Sequence, residues 1–362
     1  MLLRPIAYCC NMSVQGIFYN GGNMSQKIIV TGGCGYIGSH TAVALIQSGF
    51  DVVVMDNLSN SSSDSLDGVS KITGIRPDFI NVDCSDANAL RDAFALHRDA
   101  VGVIHFAAYK AVGESVANPL MYYRNNINGL LNVLDMMRQF DIPNIVFSSS
   151  ATVYGVPDVL PVTEQTPLQP ATSPYGQTKV IGENIIRDMV HANPQMRAIL
   201  LRYFNPIGAH PSGLIGELPN GVPNNLMPYI TQTAAGIRSE LSVFGNDYDT
   251  PDGYCVRDYI DVNDLANAHV CALRHMLGGA DGVGVFNLGT GRGVSVMELL
   301  RGFEQATGVS VPYKIAPRRS GDVPSIWADA SLAMRVLGWR AETPISETLA
   351  SAWRWQENLG KR

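Results

Sequence analysis

Three polar side chains near the middle of the chain have the types and spacing of a proton-transfer site. Tyr175 and Lys179 are four residues apart, so on a helix they share one face. A free tyrosine has a pKa of ~10 and is a poor base at neutral pH, but a neighbouring ammonium group would lower that pKa. Ser150 ends a run of three serines and can place a hydroxyl beside the tyrosine. The alternative is a surface tyrosine beside a solvated lysine, because this spacing often occurs by chance.

A glycine-rich segment is typical of a dinucleotide-binding turn. Gly32, Gly35 and Gly38 follow a β-branched run and open a helical pattern, and a second glycine pattern starts at Gly33. Glycines let the backbone turn tightly and approach a pyrophosphate, which then lies on the helix N-terminus. Asp56 follows Gly38 by 18 residues, where a carboxylate can accept hydrogen bonds from both ribose hydroxyls. No Arg or Lys follows directly, which favours NAD over NADP; a purely structural glycine turn is the alternative.

The elements that must position these residues alternate between strand and helix. This alternation predicts an α/β fold with a Rossmann-type, doubly wound parallel sheet. The predicted strands are Lys27–Thr31, Asp51–Met55, Asp78–Val82, Val101–Phe106, Asn144–Ser148 and Arg197–Arg202. The predicted helices are 36–48, a stretch from about Asp64, Ala87–Leu96, Ser115–Gln139 and Pro174–Val190.

The second half of the chain differs from the first in its composition and in its pattern of predicted elements. After Asn205, loops rich in Gly, Pro and Asn dominate, and helices are predicted near Leu226–Ile237, Val262–Met276, Val296–Thr307 and Ile345–Asn358. We expect a dinucleotide-binding domain at 25–205. A smaller α/β substrate domain is expected at 206–362, over the carboxyl ends of the strands. The boundary is soft, and the chain is expected to cross back at least once. Residues 1–24 are interpreted as a disordered extension, with a targeting segment as the alternative.

Composition excludes several classes of protein. The 362-residue chain has a net charge of −6, which gives no general attraction to nucleic acid or anionic lipid. No apolar run approaches the ~18–20 residues that cross a bilayer. The six cysteines contain no C-x-x-C spacing, which argues against a zinc site or a disulfide framework and is typical of a reducing cytoplasm. We therefore expect a cytoplasmic protein without a metal, nucleic-acid partner or membrane span.

Longer strings resemble the extended short-chain dehydrogenase/reductase family, and in particular its members that act on nucleotide sugars. The similarity runs from about Lys27 to the C-terminal helix. The glycine turn, the strand-end serine and the Tyr-x-x-x-Lys pair carry the family resemblance. The more specific strings are residues 105–115, 148–155, 201–206, 222–228, 256–260 and 316–322.

The resemblance implies a role for each matching residue. Tyr175 would be the general base and acid, Lys179 would hold the nicotinamide ribose and tune Tyr175, and Ser150 would bridge Tyr175 and the sugar 4-hydroxyl. The implied NAD contacts are Gly32, Gly35, Tyr36, Ile37, Gly38, Asp56, Asn57, Asp83, Cys84, Phe106, Ala107, Lys110, Asn125, Ser148, Tyr175, Lys179 and Tyr203. The implied contacts to UDP and the hexose are Ser150, Tyr175, Phe204, Asn205, Asn225, Leu226, Phe244, Arg257, Arg319 and Asp322.

The residues themselves support only part of this set. Arginine suits bidentate phosphate contacts, so Arg257 and Arg319 are sensible pyrophosphate ligands, with a surface ion pair to a nearby Asp as the alternative. Lys110 and Asn125 have no support from spacing alone. His105 is interpreted as a core or strand-end residue rather than a catalyst, and Cys34 and Cys84 as inert small residues near the cofactor.

The reaction implied by the resemblance is the interconversion of UDP-galactose and UDP-glucose. C4 is oxidised by NAD, the 4-keto sugar turns over, and C4 is reduced again on its other face. One alternative is a nucleotide-sugar 4,6-dehydratase, which needs an acid and a base to expel the 6-hydroxyl. Similar dehydratases carry an Asp-Glu pair where this chain has Ala151 and Thr152, and neither residue can do that work. The other alternative is a non-enzymatic dinucleotide sensor, which could lose the tyrosine and lysine that remain here.

Two finer expectations also come from the resemblance. In the similar proteins, the size of the residue that corresponds to Ile326 governs whether N-acetylated hexoses fit. Isoleucine is intermediate, so we expect a preference for UDP-glucose and UDP-galactose. A homodimer that pairs helices 115–139 and 174–190 is expected too. Its support is a set of apolar positions that could equally face the core: Leu130, Leu131, Val133, Leu134 and Met137.

Overall fold

The computed structural model describes residues 25–319 and 322–361, so the predicted extension at 1–24 lies outside the described residues. The strands are β1 Lys27–Thr31, β2 Asp51–Asp56, β3 Asp78–Asn81, β4 Ala100–His105, β5 Asn144–Ser150, β6 Arg197–Tyr203, β7 Asn205–Ile207, β8 Leu241–Phe244, β9 Val256–Arg257, β10 Tyr259–Asp261, β11 Gly282–Leu288, β12 Val294–Ser295, β13 Tyr313–Ala316 and β14 Ser325–Ile326. The helices are α1 Tyr36–Gln47, α2 Asp64–Thr73, α3 Ala87–Ala95, α4 Val112–Ala117, α5 Pro119–Gln139, α6 Pro174–Ala192, α7 Leu226–Ala234, α8 Val262–Leu277, α9 Val296–Thr307, α10 Ser331–Leu337 and α11 Ile345–Leu359. A 3₁₀ helix spans Ala151–Tyr154.

The largest sheet has seven strands in the order β11-β6-β5-β4-β1-β2-β3. Every neighbouring pair is parallel, so the predicted doubly wound parallel sheet is confirmed. The winding reverses between β1 and β4. In open sheets of this kind, ligands bind in the crevice outside the carboxyl ends of the strands at that reversal. The topology therefore places the candidate site at the ends of β1, β4 and β5.

Both faces of this sheet are buried, because alternate side chains of each strand point to opposite sides. Ile28 and Val30 of β1 pack in one core with α1 and α8. Ile29 packs in the core on the other face, together with side chains of α3, α5 and α6. Each such side chain, when fully buried, stabilises the fold by about 1.5–3 kcal/mol. The continuous apolar runs seen in the sequence are the consequence of this two-sided burial.

The chain leaves the large sheet after β6 and returns to it as β11. β11 pairs with β6 along its whole length, from Gly282 opposite Arg197 to Leu288 opposite Tyr203. The shorter strands form three small sheets: β7 pairs with β10, β9 lies between β12 and β14, and β13 pairs with β8. A third core forms around Phe303, Leu300 and Leu349 of α9 and α11. The second half of the chain thus completes the large sheet and also forms three small ones.

The helix predicted over Ser115–Gln139 is wrong in one respect, because the structure contains two helices there. α4 ends at Ala117 and α5 begins at Pro119. Asn118 between them has φ −131° and ψ 59°, outside the helical region. Proline disfavours a helical conformation in the residue before it, but its fixed φ suits the first position of a new helix. The chain therefore breaks at Asn118 and restarts at Pro119.

The structure shows which apolar side chains of α5 face the core and which face outward. Leu131 is exposed, whereas the other four lie in the core under the sheet: Leu130, Val133, Leu134 and Met137. Within the described ranges, no helix combines the length and the apolar character that a membrane crossing requires.

Candidate active site

The glycine turn between β1 and α1 is closely packed against backbone. Gly32 has φ +71°, and a Cβ there would lie 2.7 Å from the backbone nitrogen of Ala107. A Cβ on Gly38 would lie 2.7 Å from Gly33 Cα and closer still to the Gly32 carbonyl oxygen. Both positions therefore require glycine. A Cβ on Gly35, in contrast, would approach only the Gly32 carbonyl oxygen, at 3.2 Å.

The N-terminus of α1 is open to an anion. Gly35 is its N-cap residue, and no side chain caps the helix or places a carboxylate in its first turn. Tyr36 and Ile37 are the first two helical residues, and the Tyr36 hydroxyl donates to the Gly208 carbonyl at 2.7 Å. Free N–H groups and the positive end of the helix dipole favour a phosphate here. The turn thus fits a pyrophosphate.

Asp56 at the end of β2 holds this turn in place. Its carboxylate accepts hydrogen bonds from the Cys34 backbone at 3.0 Å, from the Leu58 backbone at 2.9 Å and from the Ser61 hydroxyl at 2.9 Å. A carboxylate offers about four acceptor positions, so one remains for a ribose hydroxyl. The sequence suggested only the ribose contact and missed the role of Asp56 in the turn.

Asn57 and Asp83 lie just after the carboxyl ends of β2 and β3, close to Asp56. Asn57 donates to Asp83 at 2.8 Å, and Asp83 also accepts from the backbone and hydroxyl of Ser85 at 2.7 Å. Burial raises the pKa of Asp83, but the hydrogen bonds from Ser85 and Asn57 outweigh it and hold that pKa below its usual range. Cys84 is buried next to them. The carboxyl ends of β2 and β3 therefore carry a fixed negative charge.

Tyr175, Lys179 and Ser150 converge as the sequence predicts. Tyr175 lies in the first turn of α6, which Ser173 caps by accepting the Gly176 N–H at 3.1 Å. The Lys179 ammonium donates to the Ser148 carbonyl at 2.6 Å and lies 5.8 Å from the centre of the Tyr175 ring. Ser150, at the end of β5, hydrogen-bonds with the Tyr175 hydroxyl. A phenol, an ammonium and a hydroxyl therefore meet at the carboxyl end of β5.

The expected lowering of the Tyr175 pKa is not found in the chain without cofactor. Burial raises the pKa of Tyr175, and only the hydrogen bond with Ser150 opposes that rise. Burial also lowers the pKa of Lys179 to about 7, so its ammonium is not fully charged at neutral pH. Burial disfavours the charged form of both groups and is the physical cause of this difference.

Several other predicted cofactor residues surround a buried histidine. The His269 ring lies 4.8 Å from that of Phe106, and its Nε2 hydrogen-bonds with the Tyr203 hydroxyl. Burial lowers the pKa of His269 to about 4, so it is neutral. Tyr203 also hydrogen-bonds with Ser148, next to the Lys179 contact. These side chains form one wall of the crevice.

Lys110 lies near the glycine turn, with its ammonium 5.9 Å from the Tyr36 ring centre, and Asn125 lies on α5. Lys110 is exposed and forms an ion pair of 3.1 Å with Glu217, while Asn125 donates to its neighbour Asn126 at 2.9 Å. Asn225, a predicted substrate residue, donates to the same Glu217 oxygen at 2.6 Å. Glu217 thus joins a predicted cofactor residue to a predicted substrate residue. The sequence analysis missed it, since a lone glutamate in a Gly- and Pro-rich loop carries no spacing signal.

Four predicted substrate residues lie on or between the short strands β8, β9, β13 and β14. Arg319 contacts both Phe244 and Asp322: it pairs with Asp322 at 2.7 Å, and its guanidinium lies 5.8 Å from the Phe244 ring centre. Arg257, on β9, donates to the Val256 carbonyl at 2.9 Å and to the Pro324 carbonyl at 3.5 Å, and it lies opposite Ile326 of β14.

Three further predicted substrate residues lie directly after β6, in β7 and in α7. Phe204 packs with Ile326 in a small apolar cluster. Asn205 begins β7, and Leu226 begins α7.

Asp258, next to Arg257, is a second residue whose role the sequence analysis missed. It is fully buried and accepts hydrogen bonds from the backbones of Thr290, Gly291 and Ala328 and from the Thr290 hydroxyl. It therefore fixes β9 against β14 and the loop after β11. Burial raises the pKa of Asp258 above its usual range, against the effect of these hydrogen bonds.

The residues interpreted as inert have the environments that interpretation requires. His105 is buried, hydrogen-bonds with Thr31 at 2.8 Å and has a pKa lowered to about 3 by burial. Burial raises the pKa of both Cys34 and Cys84 to about 12, so neither forms a thiolate at neutral pH. In the part of the chain that the structure describes, no group of three or more His, Cys, Asp or Glu could hold a metal ion.

Comparison with known proteins agrees with this geometry. A family model described as GDP-mannose 4,6 dehydratase matches residues 29–352. The UDP-glucose 4-epimerase of Bacillus subtilis is 54% identical over 333 residues, which cover 92% of this chain and 97% of that protein.

Solved structures give the same result. The UDP-glucose 4-epimerase of Bifidobacterium longum, in complex with NAD+ and UDP, has a TM-score of 0.89 and 48% identity over 92% of this chain and 98% of that one. That of Stenotrophomonas maltophila, with bound NAD and formylated UDP-arabinopyranose, has a TM-score of 0.90 and 46% identity over 93% and 99%. The chain belongs to the extended short-chain dehydrogenase/reductase family, and within it to the UDP-glucose 4-epimerases.

Proposed function

We propose that the protein interconverts UDP-galactose and UDP-glucose with a bound NAD that is regenerated in every cycle. The observation that carries the proposal is the meeting of Tyr175, Lys179 and Ser150 at the carboxyl end of β5, at the same edge of the sheet as the glycine turn after β1. This arrangement supplies one proton-transfer group next to a dinucleotide site. It is sufficient for oxidation and re-reduction at one carbon, and the cofactor then needs no external partner.

The residues present fit NAD. The pyrophosphate would lie on the N-terminus of α1, where a Cβ on Gly35 would have almost no neighbours, and a ribose would lie at Asp56. Bound NAD would accept a hydride from C4 of the hexose and return it to the other face of the 4-keto sugar. Lys179 would hold the nicotinamide ribose, with Phe106 and Tyr203 as the adjoining wall.

Tyr175 moves the proton. Its phenolate accepts the proton of the sugar 4-hydroxyl during oxidation and gives it back during reduction, with Ser150 orienting both oxygens. The positive charge of an oxidised nicotinamide ring nearby would lower the pKa of Tyr175 and offset its burial. The base thus becomes competent when the cofactor is in place.

The sugar nucleotide would be held from the second half of the chain. We assign the uracil and pyrophosphate contacts to Asn225, Leu226, Phe244, Arg257 and Arg319. Phe204, Asn205 and Asp322 complete the pocket. The proposal accordingly divides the chain into an NAD-binding part at 25–205, completed by β11, and a UDP-sugar-binding part at 206–362.

Dehydration is disfavoured by the residues that follow Ser150. Ala151 and Thr152 begin the 3₁₀ helix there, and neither carries a carboxyl group that could expel a 6-hydroxyl. The purified protein, incubated with UDP-galactose and no added NAD or NADH, is therefore expected to reach an equilibrium mixture with UDP-glucose. Nuclear magnetic resonance of the mixture would follow this conversion. A 4-keto-6-deoxy product, or an absolute requirement for NADH, would contradict the proposal.

A preference among substrates is expected from Ile326. This side chain is buried in one apolar cluster with Phe204 and Ala328. It occupies space that a glycine or serine would leave free. UDP-glucose should therefore turn over faster than its N-acetylated analogue UDP-GlcNAc, by about fivefold to 150-fold if the acetamido group costs 1–3 kcal/mol of overpacking. Parallel measurement of kcat/KM for both sugars checks this. Comparable values would refute the preference.

Ser150→Ala should move the pH dependence of the reaction. The hydrogen bond with Ser150 lowers the pKa of Tyr175, so its loss raises that pKa and leaves less phenolate at neutral pH. We expect kcat at pH 7 to fall about tenfold, the equivalent of one lost hydrogen bond, and to recover partly at alkaline pH. A pH profile of kcat for both forms measures this. A uniform loss at every pH would show that Ser150 acts in another way.

We further propose that the protein is a cytoplasmic homodimer. The outer side of α5 exposes large apolar side chains, with Leu120 64% and Leu131 45% accessible. Burial of such side chains against a second copy would remove them from water. Sedimentation at micromolar protein is expected to give a dimer, and Leu120→Lys should favour the monomer.

A further inference from the structure

A buried ion pair lies directly behind the Tyr175 site. Glu183 of α6 is fully buried, and Arg202 of β6 is 3% exposed. The guanidinium makes two parallel bonds to the carboxylate, Nε to Oε1 at 2.8 Å and Nη2 to Oε2 at 2.7 Å. Burial raises the pKa of Glu183, but these bonds outweigh it and keep the group ionised. Because desolvation largely cancels the attraction in such pairs, stability alone does not explain this one.

Through Ser149, the pair connects α6 to the end of β5. Glu183 follows Lys179 by four residues and Tyr175 by eight, so the three side chains leave one face of the helix. The Ser149 hydroxyl donates to Glu183 Oε1 at 2.6 Å, and the Lys179 ammonium donates to the Ser148 carbonyl at 2.6 Å. Helix and strand are thus joined at two consecutive strand residues, immediately before Ser150.

The same guanidinium also holds the chain on the other side of Ser150. Arg202 Nη1 donates to the Tyr154 hydroxyl at 3.0 Å, and Tyr154 ends the 3₁₀ helix that follows Ser150. The Tyr154 hydroxyl donates in turn to Asn287 Oδ1 at 2.6 Å. Ser149, Arg202 and Asn287 lie in register across β5, β6 and β11. Ser150 is therefore fixed from both sides by one transverse row of the sheet.

We propose that Glu183 and Arg202 are positioning residues for the reaction, which hold α6 so that Tyr175 and Lys179 meet Ser150. The proposal rests on the proposed function. Neither residue touches the Tyr175 hydroxyl in the contacts described, and each acts through Ser149, Tyr154 or the helix itself. A displacement of about 1 Å between reacting groups can cost 10²-fold in rate, so a rigid support of this kind has a measurable effect.

Ser149→Ala is the most direct test, because it removes the fastening and leaves the ion pair intact. We expect kcat for UDP-galactose to fall about tenfold, the equivalent of one hydrogen bond, with KM and the content of bound NAD unchanged. The pH profile of kcat should shift to alkaline pH, since a looser Ser150 contact raises the pKa of Tyr175. A merely structural role would lower kcat equally at every pH, in proportion to the folded fraction.

Glu183→Gln and Arg187→Gln form a matched pair on the same helix. Arg187 donates to Glu183 Oε2 at 2.9 Å from the partly exposed side and makes no described contact with β5. We expect Glu183→Gln to lower kcat about 10²-fold and Arg187→Gln to keep the wild-type value. If Glu183→Gln does not fold, Ser149→Ala alone decides the matter.

The outcomes separate the two proposals. Wild-type kcat in folded Ser149→Ala, or an equal loss in Arg187→Gln, overturns the positioning role. A wild-type protein that does not convert UDP-galactose overturns the proposed function instead. The rate at which UDP-galactose reduces the bound NAD, followed by near-ultraviolet absorbance in a single turnover, gives a second readout. It should fall with kcat in Ser149→Ala and remain unchanged in Arg187→Gln.

Discussion

Tyr175→Phe is expected to lower kcat by about 10³-fold and to leave the content of bound NAD unchanged. The change removes the only atom that can take the proton of the sugar 4-hydroxyl in the proposed mechanism, and proton transfer of this kind contributes about 10²–10⁴-fold. The ring remains, so its packing beside Lys179 persists. The measurement is steady-state conversion of UDP-galactose, together with NAD released from denatured protein.

Tyr313→Phe serves as the control, because that phenol is 46% exposed on β13. It should keep the wild-type rate. A Tyr175→Phe protein with more than a tenth of the wild-type kcat would rule out the phenol as the proton carrier. A loss of NAD from the variant would instead indicate a role in cofactor binding.

Gly38→Ala should cause the second large effect, on cofactor binding. A Cβ at this position would strike the backbone of Gly32 and Gly33, which cannot move aside as a side chain could. The turn would have to open, and the N-terminus of α1 would shift from the pyrophosphate position. Overpacking of 1–3 kcal/mol corresponds to an affinity for NAD about fivefold to 150-fold lower. Titration of the cofactor-free protein with NAD measures it.

Gly113→Ala is the matched control in α4. A Cβ there would meet no atom within 4 Å, and alanine is a better helix former than glycine by about 1 kcal/mol. NAD binding and activity should be unchanged, and thermal stability should not fall. Equal NAD affinity in Gly38→Ala and the wild type would refute the proposed cofactor position.

The sequence predicts the large sheet well, and the reason is its two-sided burial. Continuous apolar runs form β1, β2, β4 and β5, because both faces of these strands are covered. β11 escaped prediction, since its alternating glycines, Gly282 and Gly284, weaken the strand signal. The strands of two to four residues in the second half are too short to show a period. The break at Asn118 is hard to predict from sequence, because a single proline interrupts an otherwise long helical pattern.

The site was predictable where its residues follow one another along the chain. The glycine turn, Ser150, Tyr175 and Lys179 each belong to a short pattern with a physical reason. Glu217 and Asp258 could not be found this way, because they bind partners that are distant in sequence. Glu183 carried a usable signal: a charged residue on the same helical face as Lys179 and Tyr175. Its partner Arg202 lies inside a buried strand, where a charge requires a counter-ion.

The late return of β11 has a consequence for the chain during synthesis. β6 is complete at Tyr203, but its partner begins only at Gly282. While residues 204–281 are being made, β6 presents unpaired N–H and C=O groups along its free edge, and such edges promote association between chains. Asn287, the end of the transverse row behind Tyr175, is also missing until then. The nascent protein can therefore complete its catalytic geometry only when β11 has left the ribosome.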